Sequence, residues 1–513
     1  MDVVSGLASV LQPNHFLYLM VGVCIGLVFG TIPGLSGITA VALLFPFSFV
    51  LGPEAAIIMM IGVYVATCTA GALAGTLFNM PGDVMGAATA RDGYPLTQKG
   101  EAGRAISVAV TASSVGGILG TLLLILIAPN VARVALNFGA PEYFALALLG
   151  MVCVASLSTG SLLKALIAGT FGLLLGTVGT DPILGSTRFV MGMPQLQGGI
   201  DFVPAIIGFF ALSEILVTLF GGSQMGKYTG KDVAQVARFA RPSAADFKRI
   251  RFTVLRQSII GTFMGILPGA GSTIAAFLGY GTEAQFVKDK SQFGKGDVRG
   301  VAAPESANSA AAAGSMVPLL TLGMPGGAVT AIMLAVFVMN NIQPGPRMLV
   351  GNGEGSAIMG SVFGALLIAC LVTLLVGLFL VRYLMRLLTV PYEIFSTVVL
   401  VFAVVGAFSI FNRIADVWIM IFCGIVGFFA KKYGYPIAAI ILGLVLGGIA
   451  ERNLINGIGV SRGDWLVMVT RPATMVVLIA ALLLLAVPII WWQVGRRQKR
   501  KAESVSETED ADA

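Results

Sequence analysis

Gly26-Leu27-Val28-Phe29-Gly30-Thr31-Ile32-Pro33-Gly34-Leu35-Ser36-Gly37 breaks an apolar run with a Pro-Gly pair, and the pattern returns later in the chain. Residues 261–272 read Gly261-Thr262-Phe263-Met264-Gly265-Ile266-Leu267-Pro268-Gly269-Ala270-Gly271-Ser272, offset by 235 throughout. A second element follows in the same order. Met80-Pro81-Gly82 matches Met324-Pro325-Gly326 at an offset of 244, each closing an apolar run. The nine extra residues fit in the charged stretch 283–300. Two ordered elements at nearly constant offset mark an internal repeat. Proline cannot continue an intrahelical hydrogen bond, and glycine admits dihedrals closed to other residues, so each pair opens its helix.

Such openings matter because the surroundings are apolar. Of 513 residues, 57% are hydrophobic and 11% charged, against about 25% charged in a soluble domain. Fifteen apolar runs can be separated, several of only 13–17 residues. A full crossing needs about 20. The reading is an all-α polytopic membrane protein of about 12 transmembrane helices plus re-entrant or broken segments. A soluble enzyme, a secreted disulfide scaffold and a disordered chain are excluded. Glycine, at 65 residues, suits close helix packing in a bilayer. Met1–Asn14 lacks a positive n-region, and the run from Phe16 reads as a retained span rather than a signal peptide. The five cysteines, Cys24, Cys68, Cys153, Cys370 and Cys423, lie far apart in apolar runs and read as small buried hydrophobes. A single histidine, His15, rules out a multi-histidine metal site.

The net charge of +7 is concentrated. Residues 223–257 hold Lys227, Lys231, Arg238, Arg241, Lys248, Arg249, Arg251 and Arg256 against Asp232 and Asp246, and the tail from Gly495 balances five basic with five acidic residues. A loop this basic belongs on the cytoplasmic side and says nothing of nucleic acid. Four segments follow: a first membrane half at 1–222, a basic cytoplasmic linker at 223–257, a second half with the C-terminal spans at 258–494, and a disordered cytoplasmic tail at 495–513. Eight Lys and Arg precede Gly261 closely and none precede Gly26, so the two repeats enter from opposite sides. Two inverted-topology repeats are a common plan of secondary transporters. Reporter fusions that put Met1 and Lys231 on the same side would sink that topology.

Taken singly, a Pro-Gly pair is a packing kink whose glycine serves helix contact. A matched pair in each half favours a binding site. At the midplane, freed amides at a half-helix N-terminus hold an anion and freed carbonyls hold a cation. The substrate-binding candidates are therefore Gly34, Ser36, Asn79, Gly82, Gly269, Gly271, Ser272, Thr273, Asn308 and Gly326. Asn308 belongs to the polar cluster Ala303-Pro304-Glu305-Ser306-Ala307-Asn308-Ser309, which opens the next segment. The coupling-ion candidates are Asp83, Glu305 and Thr39. Helix capping is the plain alternative for Asp83, and first-turn placement for Glu305. Glu214, inside the run 202–220, could pair with Lys164 or bind a cation. Snorkelling to the basic loop is the favoured reading.

The sequence resembles the large permease subunit of the tripartite tricarboxylate transporters. The likeness runs through Gly30–Gly37, Asn79–Gly82, the stretch from Asp92-Gly93-Tyr94-Pro95 to Arg104, Leu267–Ser272, Ala303–Asn308 and Gly323–Gly326. It implies a multi-pass permease of the bacterial inner membrane. That permease would take up a di- or tricarboxylate by symport with a coupling cation, sodium or proton, and no other cofactor. The implied partners are a small four-span membrane subunit and a periplasmic substrate-binding protein. The absence of a Walker motif agrees with an ion gradient as the driving force. Asp83 departs from the small or hydroxyl residue expected after the Pro-Gly pair, and a carboxylate there repels an anion unless it is paired or binds the coupling cation. A passive anion channel built from the same broken helices is the alternative. An intramembrane enzyme lacks a nucleophile and base in the spans.

Overall fold

The computed structural model describes residues 3–157, 161–181, 185–221, 243–268, 271–351 and 354–486. The tail at 495–513 and linker residues 223–242 lie outside them, and so does Gly269. The chain begins α1 (Val3–Val10), α2 (Pro13–Thr31), α3 (Gly37–Leu44), α4 (Pro53–Phe78), α5 (Gly86–Gln98) and α6 (Ala102–Ala135). It continues through α7 (Ala140–Leu157), α8 (Leu162–Gly176) and α9 (Phe202–Gly221), with a two-residue hairpin of β1 (Gly179–Thr180) and β2 (Thr187–Arg188) between the last two. The later part comprises α10 (Ala244–Ile266), α11 (Gly271–Phe286), α12 (Val298–Leu322), α13 (Ala328–Met339), α14 (Pro346–Val350) and α15 (Glu354–Leu384). It ends with α16 (Tyr392–Ser409), α17 (Ile414–Lys432), α18 (Ile437–Val460), α19 (Trp465–Thr470) and α20 (Pro472–Ala486).

Among the described residues, eight helices are long and apolar enough to cross a bilayer: α2, α4, α6, α9, α15, α16, α17 and α18. Five shorter apolar helices accompany them, α3 and α13 among these. The protein is a multi-pass membrane protein. Its two most enclosed helices are α4, buried from Ala55 to Leu77, and α12, buried from Gly300 to Thr321. They cross antiparallel. Tyr64 Oη lies 3.0 Å from Ser315 Oγ, and Asn308 Nδ2 donates to the Cys68 carbonyl at 2.9 Å, so the pairing ascends on one helix as it descends on the other.

Glycines set how closely the helices pack. A Cβ on Gly26 would lie 2.6 Å from the Val63 carbonyl oxygen, and one on Gly30 would lie 3.0 Å from that of Thr67, so α2 runs parallel to α4 at near backbone contact. In the second half, Gly261 faces the Ala307 carbonyl and Gly265 that of Ala311, and a Cβ would lie 2.2 and 2.1 Å away. These pairs match residue for residue at the offsets 235 and 244. The same small-residue logic brings α6 onto α12, with Gly116 against Ser306 and Gly120 against Ala310.

Three expectations change. The helix after the linker starts at Ala244, not near 258, because Ser243 and Asp246 form a capping box that carries the charged turns of α10 into the helix. The helix holding Glu305 starts at Val298, capped by Asp297, so Pro304 and the whole 303–309 cluster are interior and Glu305 is no first-turn residue. Cys24 is exposed on the outer face of α2, whereas the other four cysteines are buried as expected.

Candidate functional site

The two breaks of each half are built alike. Helix α2 ends at Ile32 with φ −83° and ψ 117°, and α10 ends at Leu267 with φ −74° and ψ 116°. Helix α4 ends in left-handed Asn79 (φ 56°, ψ 30°), and α12 ends in left-handed Gly323 (φ 67°, ψ 26°). Behind each left-handed residue the chain closes the helix end. Asn79 N–H donates to Gly75 O at 3.0 Å and Met80 N–H to Ala74 O at 3.5 Å. Gly323 N–H donates to Leu319 O at 3.1 Å and Met324 N–H to Pro318 O at 3.2 Å. The first bond of each pair is the single cap typical of helices that end in a left-handed residue, and the second reaches six residues back.

Past the breaks, half-helices start again. Ser36 caps α3 by accepting the Thr39 amide at 3.4 Å, and its hydroxyl lies 3.3 Å from that of buried Thr39. Gly34, at φ +87°, supplies the left-handed turn before it. Helix α11 opens on Gly271 (φ +59°), Ser272 and Thr273, all half-buried, with Ser272 neighbouring the Tyr64 hydroxyl of the opposite half. Asp83 Oδ1 accepts the Gly86 amide at 2.7 Å at the start of α5, which is the capping role set out as its plain alternative. Gly82 donates to Gly71 O at 3.0 Å, and a Cβ on it would come within 2.2 Å of the Gly30 carbonyl oxygen. The first half's two breaks therefore touch. Gly326 occupies the matching place, with its Cβ position 2.6 Å from the Ser315 carbonyl oxygen.

Glu214 does not pair with Lys164, and most of the basic loop, residues 223–242, lies outside the described residues. Glu214 pairs with Lys431 in the last turn of α17, while Lys164 donates to the Tyr433 carbonyl at 2.7 Å. The side chain stays near the first break. A Cβ on Gly34 would lie 3.0 Å from Thr218 Oγ1, 3.7 Å from Glu214 Oε1 and 3.8 Å from the Tyr392 ring. A π-helical segment, Ile207–Leu212, precedes Glu214 and lets Gly208 approach the Met420 carbonyl of α17.

Between the halves runs a layer of buried oxygens. Thr69 Oγ1 of α4 lies 2.9 Å from Ser113 Oγ of α6, which lies 2.6 Å from Ser309 Oγ of α12. Thr89 of α5 donates to Glu305 Oε1 at 2.6 Å. Glu305 and Asn308 belong to this layer and stand apart from the second half's own break. Sequence reasoning missed Thr69, Thr89 and Ser113. The one available signal was hydroxyls such as Thr111, Ser113 and Ser114 in an otherwise apolar run.

A second polar centre lies at the end where α5 and α11 finish and α10, α6 and α12 begin. The Asp92 carboxylate accepts Tyr280 Oη at 2.9 Å and the amides of Gly294, Gly296 and Asp297 at 3.0, 2.8 and 2.8 Å. Asp297 in turn accepts from Arg249 at 2.9 Å and Arg299 at 2.6 Å. Burial disfavours charge on Asp297, but its bonds from Arg299 and the nearby arginines outweigh that and hold the carboxyl below its usual range. The stretch from Asp92 to Pro95 is thus an anchor for the 287–297 loop.

Residues 16–442 match the family model of the tripartite tricarboxylate transporter TctA family. The chain belongs to that family. A relative from Agrobacterium vitis, an uncharacterised 52.8 kDa protein of the TAR-I ttuC' 3' region, is 38% identical over 476 residues, covering 92% of this chain and 93% of that protein. A second protein of the same organism, from the TAR-II ttuC' 3' region, is 35% identical over 212 residues, which is 41% of this chain and 86% of its own length. No solved structure matches. TctA-family membership makes the chain a transporter subunit of a tripartite system, with partner subunits that include a binding protein.

Proposed function

We propose that this chain is the translocating subunit of a secondary uptake system for a di- or tricarboxylate. It works in the bacterial inner membrane with a small four-span subunit and a periplasmic binding protein, driven by a cation gradient. Its two halves are inverted repeats within about twelve spans, and alternating access comes from one half moving against the other. The observation that carries this reading is the antiparallel crossing of α4 and α12. These helices occupy equivalent places in the repeat, pack equivalently on α2 and α10, and end in the same left-handed break.

The substrate carboxylates bind the half-helix N-termini at the breaks, with Gly34 and Ser36 on one side and Gly269, Gly271, Ser272 and Thr273 on the other. Asn79, Gly82 and Gly326 shape the approach. With so few charges in the spans, backbone amides and hydroxyls supply most of the attraction. Asp83 accepts the Gly86 amide, which offsets part of its repulsion for the anion. The test is uptake of labelled di- and tricarboxylates into vesicles holding all three components, with and without a sodium gradient. Accumulation above the outside concentration that collapses with the gradient is expected. Mere equilibration would replace the reading with a passive channel.

A further inference from the structure

The buried layer between the halves holds two acceptor oxygens without donors. Glu305 is 1% exposed and its Oε2 meets no donor in hydrogen-bond geometry, although the Ser113 hydroxyl is close by; Asn308 is 2% exposed and its Oδ1 has no partner. The amide orientation of Asn308 is fixed chemically, because Nδ2 must face the Cys68 carbonyl, which can only accept. Oδ1 is therefore the free atom. The two side chains, three residues apart on α12, project from one face of the helix. Glu305 belongs to none of the ten ion pairs among the described residues. Asp83 lies close enough for its charge to reach Glu305, which makes the layer more negative still.

An ionised carboxylate in such a place costs several kcal/mol unless it is compensated, and an orphaned amide oxygen costs about 1–3 kcal/mol more. A proton on Glu305 would settle the first cost only, since an amide carbonyl takes no proton at neutral pH. A hard cation settles both, because it wants acceptor oxygens and no donors. The hydroxyls of Thr89, Ser113 and Ser309 lie in the same layer and each keeps a lone pair.

We propose that this layer is a sodium site in which Glu305 Oε2 and Asn308 Oδ1 are the charged and neutral ligands. A single first-coordination carboxylate suits a monovalent ion. The proposal rests on the uptake reading for its purpose, as the coupling-ion site, and on geometry for its existence. The oxygens come from α4, α5 and α6 of one half and α12 of the other, so filling the layer ties the fit between the halves to the ion.

The experiment uses the purified full chain in detergent at constant pH and ionic strength. Thermal unfolding is followed against sodium chloride, with potassium and choline chloride as references. Saturable stabilisation specific to sodium is expected for the wild type. Glu305→Gln and Asn308→Ala should each weaken the apparent sodium affinity at least tenfold, and Asn308→Asp, which keeps an oxygen at the site, should retain it. Should the variants fold poorly, equilibrium binding of radioactive sodium to the wild type, with one ion per chain displaced by none of the reference cations, carries the same weight. Stabilisation that tracks pH and is indifferent to sodium would make this a proton site and overturn the proposal. So would sodium-dependent uptake with unchanged sodium affinity in Glu305→Gln and Asn308→Ala, which leaves the transport reading intact. Sodium binding lost in the variants without carboxylate uptake by the wild type would keep the site and remove the transport reading.

Discussion

Replacing Gly82 with alanine tests whether contact between the first half's two breaks matters for the substrate. The added Cβ would lie 2.2 Å from the Gly30 carbonyl oxygen at the end of α2. Ordinary contact begins at 3.4 Å, so the two breaks must part by about 1.2 Å. Both partners are backbone, so no flexible side chain can swing aside. Overpacking of this kind costs about 1–3 kcal/mol. If the opened gap removes that energy from substrate binding, apparent affinity falls roughly 5- to 150-fold. Gly326→Ala, with 2.6 Å to the Ser315 carbonyl oxygen, should fall less. Gly281→Ala is the control, because its Cβ meets nothing within 4 Å and alanine favours the α11 helix by up to about 1 kcal/mol. The assay is concentration-dependent uptake in reconstituted vesicles, normalised to folded protein by thermal unfolding. Wild-type affinity in Gly82→Ala, or a loss in Gly281→Ala as large as in Gly82→Ala, would refute the reasoning.

Three further outcomes follow from two ion pairs. Burial opposes the charge on Asp246, but hydrogen bonds from Arg104 and Ser243 outweigh it and hold the carboxyl below its usual range. A depressed folded value gives stability that is present above the unfolded value of about 4 and is lost as pH falls through the folded one. Thermal unfolding between pH 7 and pH 3 should therefore show a drop below about pH 4 that Asp246→Asn removes. Arg104→Ala should cost about 1–2 kcal/mol at neutral pH, a modest figure because solvent reaches the guanidinium. At the first break, Lys431→Met strands the Glu214 carboxylate beside Gly34 and should impair uptake at least tenfold, with the double variant Lys431→Met/Glu214→Gln recovering part of it. Equal defects in the single and double variants would mean that the pair has no role at the break.

Much of the architecture was legible because periodic glycines and prolines act locally. The Pro33-Gly34 and Pro81-Gly82 pairs, with their partners at 268 and 325, open the backbone wherever they stand, so their positions located the breaks. Asp83 as a cap and the four buried cysteines follow equally local rules. What was missed depends on helices far apart in sequence. The Glu214–Lys431 pair joins residues 217 apart, and nothing in either segment names the other. The starts of α10 and α12 were placed too late because apolar runs were used as helix limits. Capped, charged first turns such as Ser243–Asp246 and Asp297–Arg299 extend a helix beyond its apolar part. At α4 and α12 a left-handed residue closes the helix end and turns the amides of residues 79, 80, 323 and 324 back onto the carbonyls of 74, 75, 318 and 319.

The two central helices do not share buried side-chain oxygens equally. At the offset of 244, the places of Glu305, Asn308 and Ser309 on α12 are held on α4 by Ile61, Tyr64 and Val65. The glycine contacts that set the helix crossings match between the halves, but the buried oxygens on the helices do not. If the breaks alone supplied every ligand, the two halves would offer twin sites for each solute, and nothing would distinguish the ion from the anion. Of the two central helices, only α12 carries a carboxylate and an amide at the crossing. Tyr64, in the place of Asn308, instead turns its hydroxyl to Ser315 and joins the two central helices. The glycine packing is thus common to both halves, while divergence at three positions confines the acceptor-rich surface to α12.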